Sequence, residues 1–393
     1  MGHARGDDDE SMPFPGPPDP CRARAHVRAT LLVDRWDASR GGQEGYLVAL
    51  GGELVRRGVG IRVLCREGAG KGDGTSVEAL VPPGGGVFGE RRFLAAAARR
   101  LEAGEGPVLA PRLVPFATHV QLHGGLFADA LEAERESMEG VRRALFDVGT
   151  ALNGRRRLLL RREREALAGA CPKIMVWTEA LRSRLRVLGV PDGAIRVAPP
   201  GVDLALFSPD PDGFRPRAAE FLFLAHNPRL KGLRTALEAV AVARRRGLAA
   251  RLSVVGRVPR DAWRRIAARL GVAEAVTFEG PLSRGDVVRK LRASTGLLHP
   301  TFLDPCSLAC LEAAACGVPV ITTRRNGAVE RLGPAGAALV VDDPRDVEGL
   351  ARAMEEIAEP TRRAELREAA LGFRPSLDAQ RHLDDVVDWL GVG

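Results

Sequence analysis

Apolar positions along the chain switch repeatedly between two spacings. HVRATLLVDRW (26–36) is a short aliphatic run, RGGQEG (40–45) a glycine turn, and YLVALGGELVRRG (46–58) carries its apolar residues at helical intervals before VGIRVLC (59–65) returns to a strand pattern. VEALV (77–81), PVLAPRLV (107–114) and THVQLHG (118–124) read as further strands. A long helical region follows to about 170, then the strands KIMVWT (173–178) and AIRVAPPGVD (194–203). Strand and helix in alternation imply a parallel sheet with helices on both faces.

Residues 204–219, LALFSPDPDGFRPRAA, interrupt this rhythm with Pro, Asp and Gly, as a linker does. The alternation then restarts with EFLFLAH (220–226), RLSVVG (251–256), AVTFEG (275–280), GLLHPT (296–301), VPVITT (318–323) and AALVVDD (337–343). The expected architecture is α/β: a first Rossmann-like domain over 25–203, a linker over 204–219 and a second over 220–375. A last helical stretch, 376–393, is free to cross back to the first domain. Two such sheets face each other across a cleft at the C-terminal ends of their strands, where open α/β sheets bind ligands.

Composition adds limits. At 393 residues, 45% hydrophobic and 27% charged, the chain suits two globular domains. No run of about 18 apolar residues is present, so no spanning helix is expected. Residues 1–24 are acidic, then proline-rich, without the apolar segment of a signal peptide, and read as a disordered tail on a cytoplasmic protein. Six cysteines without CxxC spacing fit neither a disulfide framework nor a zinc site, so no metal is expected. The net charge of +8 points to an anionic partner, though an overall arginine bias accounts for it without any patch.

Candidate chemistry lies in the loops after strands. GAGKGDGTS (68–76) fails as a phosphate loop, because Gly72 follows Lys71 where Ser or Thr is needed and a strand comes next; it reads as a surface loop. The turn Arg40, Gly41, Gly42 precedes a helix whose free N–H groups can approach an anion or sugar. Arg229 and Lys231, in NPRLKGL, stand at another helix mouth and suit a diphosphate clamp. His123 and His299 end strands that point at the cleft, although strand-end histidines are more often structural.

TFLDPCSLACLEAAACG (301–317) poses the sharpest question. Asp304 and Pro305 read as an N-cap and first helical position. Glu312 then falls within an apolar helix, where an ionised carboxylate without a partner costs several kcal/mol. Its partner is either a structural arginine or ligand hydroxyls, which a carboxylate accepts well.

Taken together, HPTFLDPCSLACLEAAACGVPVITT, NPRLKGL, RGGQEG, HGG and PPGVD resemble the family 4 glycosyltransferases of GT-B fold, in order, over roughly 26–390. They look most like the branch that adds glucose to heptose in the lipopolysaccharide core. The resemblance implies a retaining, metal-independent hexosyltransferase. Its nucleoside diphosphate sugar donor, a UDP-sugar favoured, is a substrate rather than a cofactor. By resemblance, Glu312 holds the donor ribose and Asp304 touches the transferred sugar. Arg229 and Lys231 neutralise the leaving diphosphate, helped by the helix start after Asp304. His123 lies near the reacting carbon, and Gly41 and Gly42 close on the donor phosphates. His299, Pro305, Cys306 and Ser307 complete the donor site. The chain departs from the family pattern in having Asp304 where Glu is usual and Pro200 where many relatives have Asn.

The implied acceptor is a glycan or lipid-linked glycan, which allows peripheral contact at the inner face of a membrane in cell-envelope polysaccharide biosynthesis; no nucleic acid is expected. Two other readings compete. A nucleotide-sugar epimerase of the same fold needs an acid/base pair that the sequence does not offer. A non-enzymatic anion- or membrane-binding protein draws on the basic run NGRRRLLLRRERE (153–165). In a helical projection those arginines spread around the axis, which suits a solvated helix better than a membrane face.

Overall fold

The computed structural model describes residues 27–38, 42–67, 71–72, 74–80, 86–101, 106–114, 116–168, 171–213 and 219–392. The N-terminal tail 1–24, Arg40, Gly41, most of the 68–73 segment and linker residues 214–218 lie outside them.

The first sheet comprises β1 (Val27–Leu32), β2 (Gly60–Cys65), β3 (Lys71–Gly72), β4 (Thr75–Ala79), β5 (Val108–Ala110), β6 (His119–Gln121), β7 (Lys173–Val176) and β8 (Ile195–Val197). Their spatial order is β3-β4-β2-β1-β5-β6-β7-β8, parallel except for the β3–β4 pair. The segment read as a surface loop thus contributes Lys71 and Gly72 to an antiparallel edge, because Gly74 at φ 77° turns the chain straight back into β4. Helices α1 (Gly42–Arg56), α2 (Gly86–Arg100), α3 (Phe127–Glu136), α4 (Gly140–Leu152), α5 (Gly154–Ala168) and α6 (Glu179–Val187) accompany this sheet. Asn153 breaks the long helical region between α4 and α5, its Oδ1 accepting from the N–H groups of Arg155 and Arg156.

The second sheet runs β11-β10-β9-β12-β13-β14, all parallel, from β9 (Glu220–Leu224), β10 (Arg251–Val255), β11 (Val276–Gly280), β12 (Gly296–His299), β13 (Val320–Thr323) and β14 (Ala338–Val341). Its helices are α7 (Leu233–Arg245), α8 (Arg260–Arg269), α9 (Arg284–Arg292), α10 (Leu308–Ala315), α11 (Val329–Leu332), α12 (Val347–Ala358) and α13 (Pro360–Phe373). The strands read as unbroken apolar runs because both faces are covered: Phe221 and Phe223 enter one core, Leu222 between them the other. The two faces of the first sheet behave alike, Leu31 and Leu32 packing into opposite cores.

The last helix, α14 (Ala379–Leu390), lays Val386, Val387, Trp389 and Leu390 into the core beneath β1 and β2 of the first domain. Its entry is held by the end of the first domain, just before the linker: the N–H of Val202 donates to Leu377 O at 2.7 Å, and that of Ala379 to Val202 O at 3.1 Å. Across the interface, the Glu330 carboxylate of α11 accepts from the backbone of Glu179 and Ala180, each at 2.8 Å, and so caps α6 of the opposite domain.

Candidate active site

The site assembles from loops at the C-terminal ends of β6, β9, β12 and β13. The loop after β9 is pinned to the loop after β12: Leu230 O accepts from the N–H of Phe302 at 2.8 Å and from Thr301 Oγ1 at 3.2 Å. Gly232 makes this approach possible. Its φ is 78°, and a Cβ there would lie 2.0 Å from Pro300 O. Lys231 is thereby delivered to the β12 loop, where Nζ donates to Asp304 Oδ2 at 2.7 Å and Leu303 O at 3.1 Å.

Asp304 does not cap α10. The helix starts at Leu308 with Ser307 as its N-cap; Asp304 forms an isolated β-bridge to Asn326, and the chain bends at 305–306 before the helix. The backbone of Asp304 bonds Arg325 O and the N–H of Gly327, and its carboxylate is taken up by Lys231 and by His299 Nε2 at 3.3 Å. Burial disfavours the ionised form of Asp304, but Lys231 and then His299 outweigh it and hold the carboxyl well below its ordinary value. His299 is buried and its pKa is lowered by that burial, with Asp304 opposing. Its Nε2 also lies 3.3 Å from Ser307 Oγ, so Lys231, His299, Asp304 and Ser307 form one cluster at the mouth of α10.

Among the described residues no acceptor is found for the N–H groups of Leu308 and Ala309, the first two of α10. One turn on, the Glu312 carboxylate has no hydrogen-bond donor among the described residues. Burial raises its pKa to about 7, with Arg284 pulling the other way without forming an ion pair. The structural-arginine alternative is thus not realised. Asn326 holds the mouth in shape, its Oδ1 accepting from the N–H groups of Ser307 and Ala328, each at 3.1 Å. Cys306 is a buried thiol whose pKa is pushed up by burial, so it is packing material rather than a nucleophile.

The first domain closes over this mouth. Gly125, at φ 73°, abuts Pro305, where an added Cβ would stand 3.0 Å from Pro305 Cγ. At Gly42, the first residue of α1, a Cβ would stand 3.4 Å from Leu308 Cδ1. Gly41 lies outside the described residues. Arg229 is exposed and has no ion-pair partner among the described residues. His123 precedes the loop that meets Pro305. Its ring stacks on Trp177 at 4.8 Å and meets the edge of Tyr46 at 4.7 Å, and both ring nitrogens are buried with no hydrogen-bond partner among the described residues. Burial, then the neighbouring His382, lower its pKa to about 3, so the imidazole is neutral.

Family comparison joins these halves. Residues 40–206 match the model "Glycosyltransferase Family 4", and residues 218–359 match "Glycosyl transferases group 1". The chain belongs to this glycosyltransferase family. The glycosyltransferase fold matches WaaG, a glycosyltransferase involved in lipopolysaccharide biosynthesis, with TM-score 0.78 and 19% identity over 93% of this chain and 100% of that one. It also matches sucrose-phosphate synthase from Thermosynechococcus elongatus, with TM-score 0.75 and 19% identity over 92% and 98%. These likenesses establish the two-sheet GT-B architecture.

Among curated sequences, the chain is 33% identical to a D-inositol 3-phosphate glycosyltransferase of Acidothermus cellulolyticus over 55% of its own length and 51% of that protein. It is 34% identical to a GDP-mannose-dependent phosphatidylinositol monomannoside mannosyltransferase of Mycolicibacterium smegmatis over 49% and 53%. The chain spans about half the length of these curated relatives.

Sequence reading missed the surroundings of His123. Tyr46 OH lies 2.8 Å from His382 Nε2 and accepts from Gln121 Nε2 at 2.8 Å. These groups come from α1, β6 and α14 and are united only by the fold. The one local signal is Gln121, a polar residue in a short strand that is buried throughout. Asn326 was missed as well, being an ordinary turn residue in RRNG.

Proposed function

We propose that the protein is a retaining glycosyltransferase that moves a hexose from a nucleoside diphosphate sugar, a UDP-sugar favoured, to a hydroxyl of a glycan or glycolipid acceptor. The observation that carries this reading is α10. Its first turn offers two backbone N–H groups without acceptors, and its second offers a carboxylate without donors, among the described residues. An anion at the first and vicinal hydroxyls at the second satisfy both, which is the demand of a diphosphate joined to a ribose.

In this reading the anomeric C–O bond to the β-phosphate breaks, and the acceptor oxygen bonds to the same face of that carbon. The acceptor proton passes to the departing phosphate oxygen, so no second carboxylate serves as base and no metal ion is required. Lys231, Arg229 and the start of α10 stabilise the charge that grows on the diphosphate. Lys231 reaches the phosphate by sharing or releasing Asp304, whose carboxylate then faces the sugar hydroxyls. His123, neutral and with unpartnered ring nitrogens, is suited to accept or donate one hydrogen bond to the sugar. Two related observations support the substrate class: Anabaena HepE, of similar fold at TM-score 0.67 and 16% identity, was solved with UDP-glucose, and the mannosyltransferase above is GDP-mannose-dependent.

No helix of the described residues is long and apolar enough to cross a membrane. A cytoplasmic enzyme touching a membrane only at its surface accords with a lipid-linked acceptor. Anomeric analysis of the transferred sugar by NMR tests the mechanism. Retention of the donor configuration is expected, and an inverted product rules the mechanism out.

A further inference from the structure

Helix α4 is amphipathic with its apolar side outward. Val141, Leu145, Val148 and Leu152 recur at spacings of four, three and four, which places them in one stripe roughly 60° wide. These side chains are between 57% and 77% exposed, and no residue of α4 is buried. The inner side of the helix is held by other contacts. Arg156 donates to Thr150 Oγ1 at 2.6 Å and lies 4.6 Å over the Phe146 ring, and Arg135 pairs with Asp147 at 2.7 Å. Phe88 of α2 is 76% exposed; its neighbour Val87 lies against Gly154 at the α4–α5 joint. Single exposed apolar residues are ordinary, but an aligned row of four marks an interaction surface.

The surrounding charge decides what covers it. Residues 140–168 contain eight arginines against three acids. The acids are engaged: Asp147 with Arg135, Glu165 with Arg162, and Glu163 with the backbone of Phe127 and Ala128. Arg142, Arg143 and Arg157 have no acidic partner among the described residues. A second copy docked about a twofold axis sets arginine against arginine along the seam, which like charges oppose. An anionic bilayer satisfies both features, with the stripe at the acyl boundary and the guanidinium groups among the phosphates. The arginines of α5 form no stripe of their own; the direction of the face comes from α4.

The position of the face suits the cleft. The α3–α4 joint touches the second domain, where Arg345 donates to Glu136 O at 2.6 Å and Arg234 lies 3.9 Å from Glu139. The stripe therefore begins at the rim of the cleft. We propose that the outer face of α4, with Phe88 and the flanking arginines of α4 and α5, docks the protein on an anionic lipid bilayer. Its purpose rests on the transferase reading, since it brings a lipid-linked acceptor to the cleft; the binding itself does not.

Sedimentation of the full chain with vesicles of phosphatidylcholine alone, or with added phosphatidylglycerol, tests the surface. Binding is expected only with the anionic lipid, falling several-fold as salt rises from about 50 to about 500 mM. The double variant Leu145→Glu, Leu152→Glu is expected to lose at least ~10-fold in partition coefficient. Its melting temperature and the melting shift given by a nucleotide-sugar should match those of the parent, which keeps a failure of docking separate from a failure of the transferase reading. Absence of binding to anionic vesicles at low salt overturns the proposal, as does undiminished binding of the double variant. A concentration-dependent dimer that the double variant abolishes also overturns it, assigning the face to a second copy.

Discussion

Replacing Glu312 by glutamine keeps the size of the side chain and removes its charge. In the folded chain its carboxyl pKa is raised from 4.5 to about 7, chiefly by burial. The folded state therefore holds a proton that the unfolded chain releases between these values, and stability falls as pH rises through that window. The contribution is fully present below pH 4.5 and lost above about 7. Glutamine resembles the protonated acid at every pH, so Glu312→Gln should be more stable than the parent by about 1 kcal/mol at pH 5 and about 3 kcal/mol at pH 8. Any fixed difference between amide and acid cancels when the two pH values are compared, leaving a gain of about 2 kcal/mol. Urea unfolding followed by tryptophan fluorescence at pH 5 and pH 8 measures it. An equal stability difference at both pH values, or a variant less stable than the parent at pH 8, would refute the claim that this carboxylate is held without a partner. A residue retained at a cost in stability is expected where a ligand needs it.

The same titration governs donor affinity. Only ionised Glu312 accepts two hydroxyl bonds, so nucleotide-sugar affinity should rise about tenfold from pH 6 to pH 8, a slope that Glu312→Gln should flatten in calorimetric titrations. Lys231→Met should reduce transfer by several orders of magnitude and also cost about 1–3 kcal/mol, because Asp304 loses its cation in a partly buried site; retained turnover in a folded variant refutes its role. Asp304→Asn should lower kcat more than it lowers melting temperature, since the side chain caps nothing, whereas a stability loss with normal kcat would return it to a structural part. Gly232→Ala should destabilise by more than about 2 kcal/mol, from a Cβ driven against Pro300 O and a left-handed backbone angle; a melting temperature within a degree of the parent contradicts the pinned loop.

Much of the fold was legible because its signals are local. Aliphatic strand runs such as EFLFLAH and VPVITT mark strands buried on both faces, and the linker announces itself by composition. The start of α10 was misread for a physical reason. Asp-Pro is a good helix start by local rules, but Lys231, more than 70 positions earlier in the chain, claims the carboxylate, and the backbone of 304 pairs with 325–327. Glu312 stood out as a charge in an apolar helix, yet whether an arginine met it depended on α9, which brings Arg284 near without contact. The outward face of α4 was invisible because a stripe at helical spacing normally marks the buried side. The setting of His123 escaped because Tyr46, Gln121, Trp177 and His382 come from α1, β6, the loop after β7 and α14.

The most direct test of the site is calorimetric titration of the parent, Lys231→Met and Glu312→Gln with UDP-, GDP-, ADP- and dTDP-hexoses at pH 8. Expected is saturable binding of one nucleotide class by the parent, with UDP-hexose foremost, and loss of at least ~10-fold in affinity in each variant. Binding of no nucleotide-sugar by the folded parent, or equal affinity in all three proteins, would contradict the assignment of the α10 mouth to the donor.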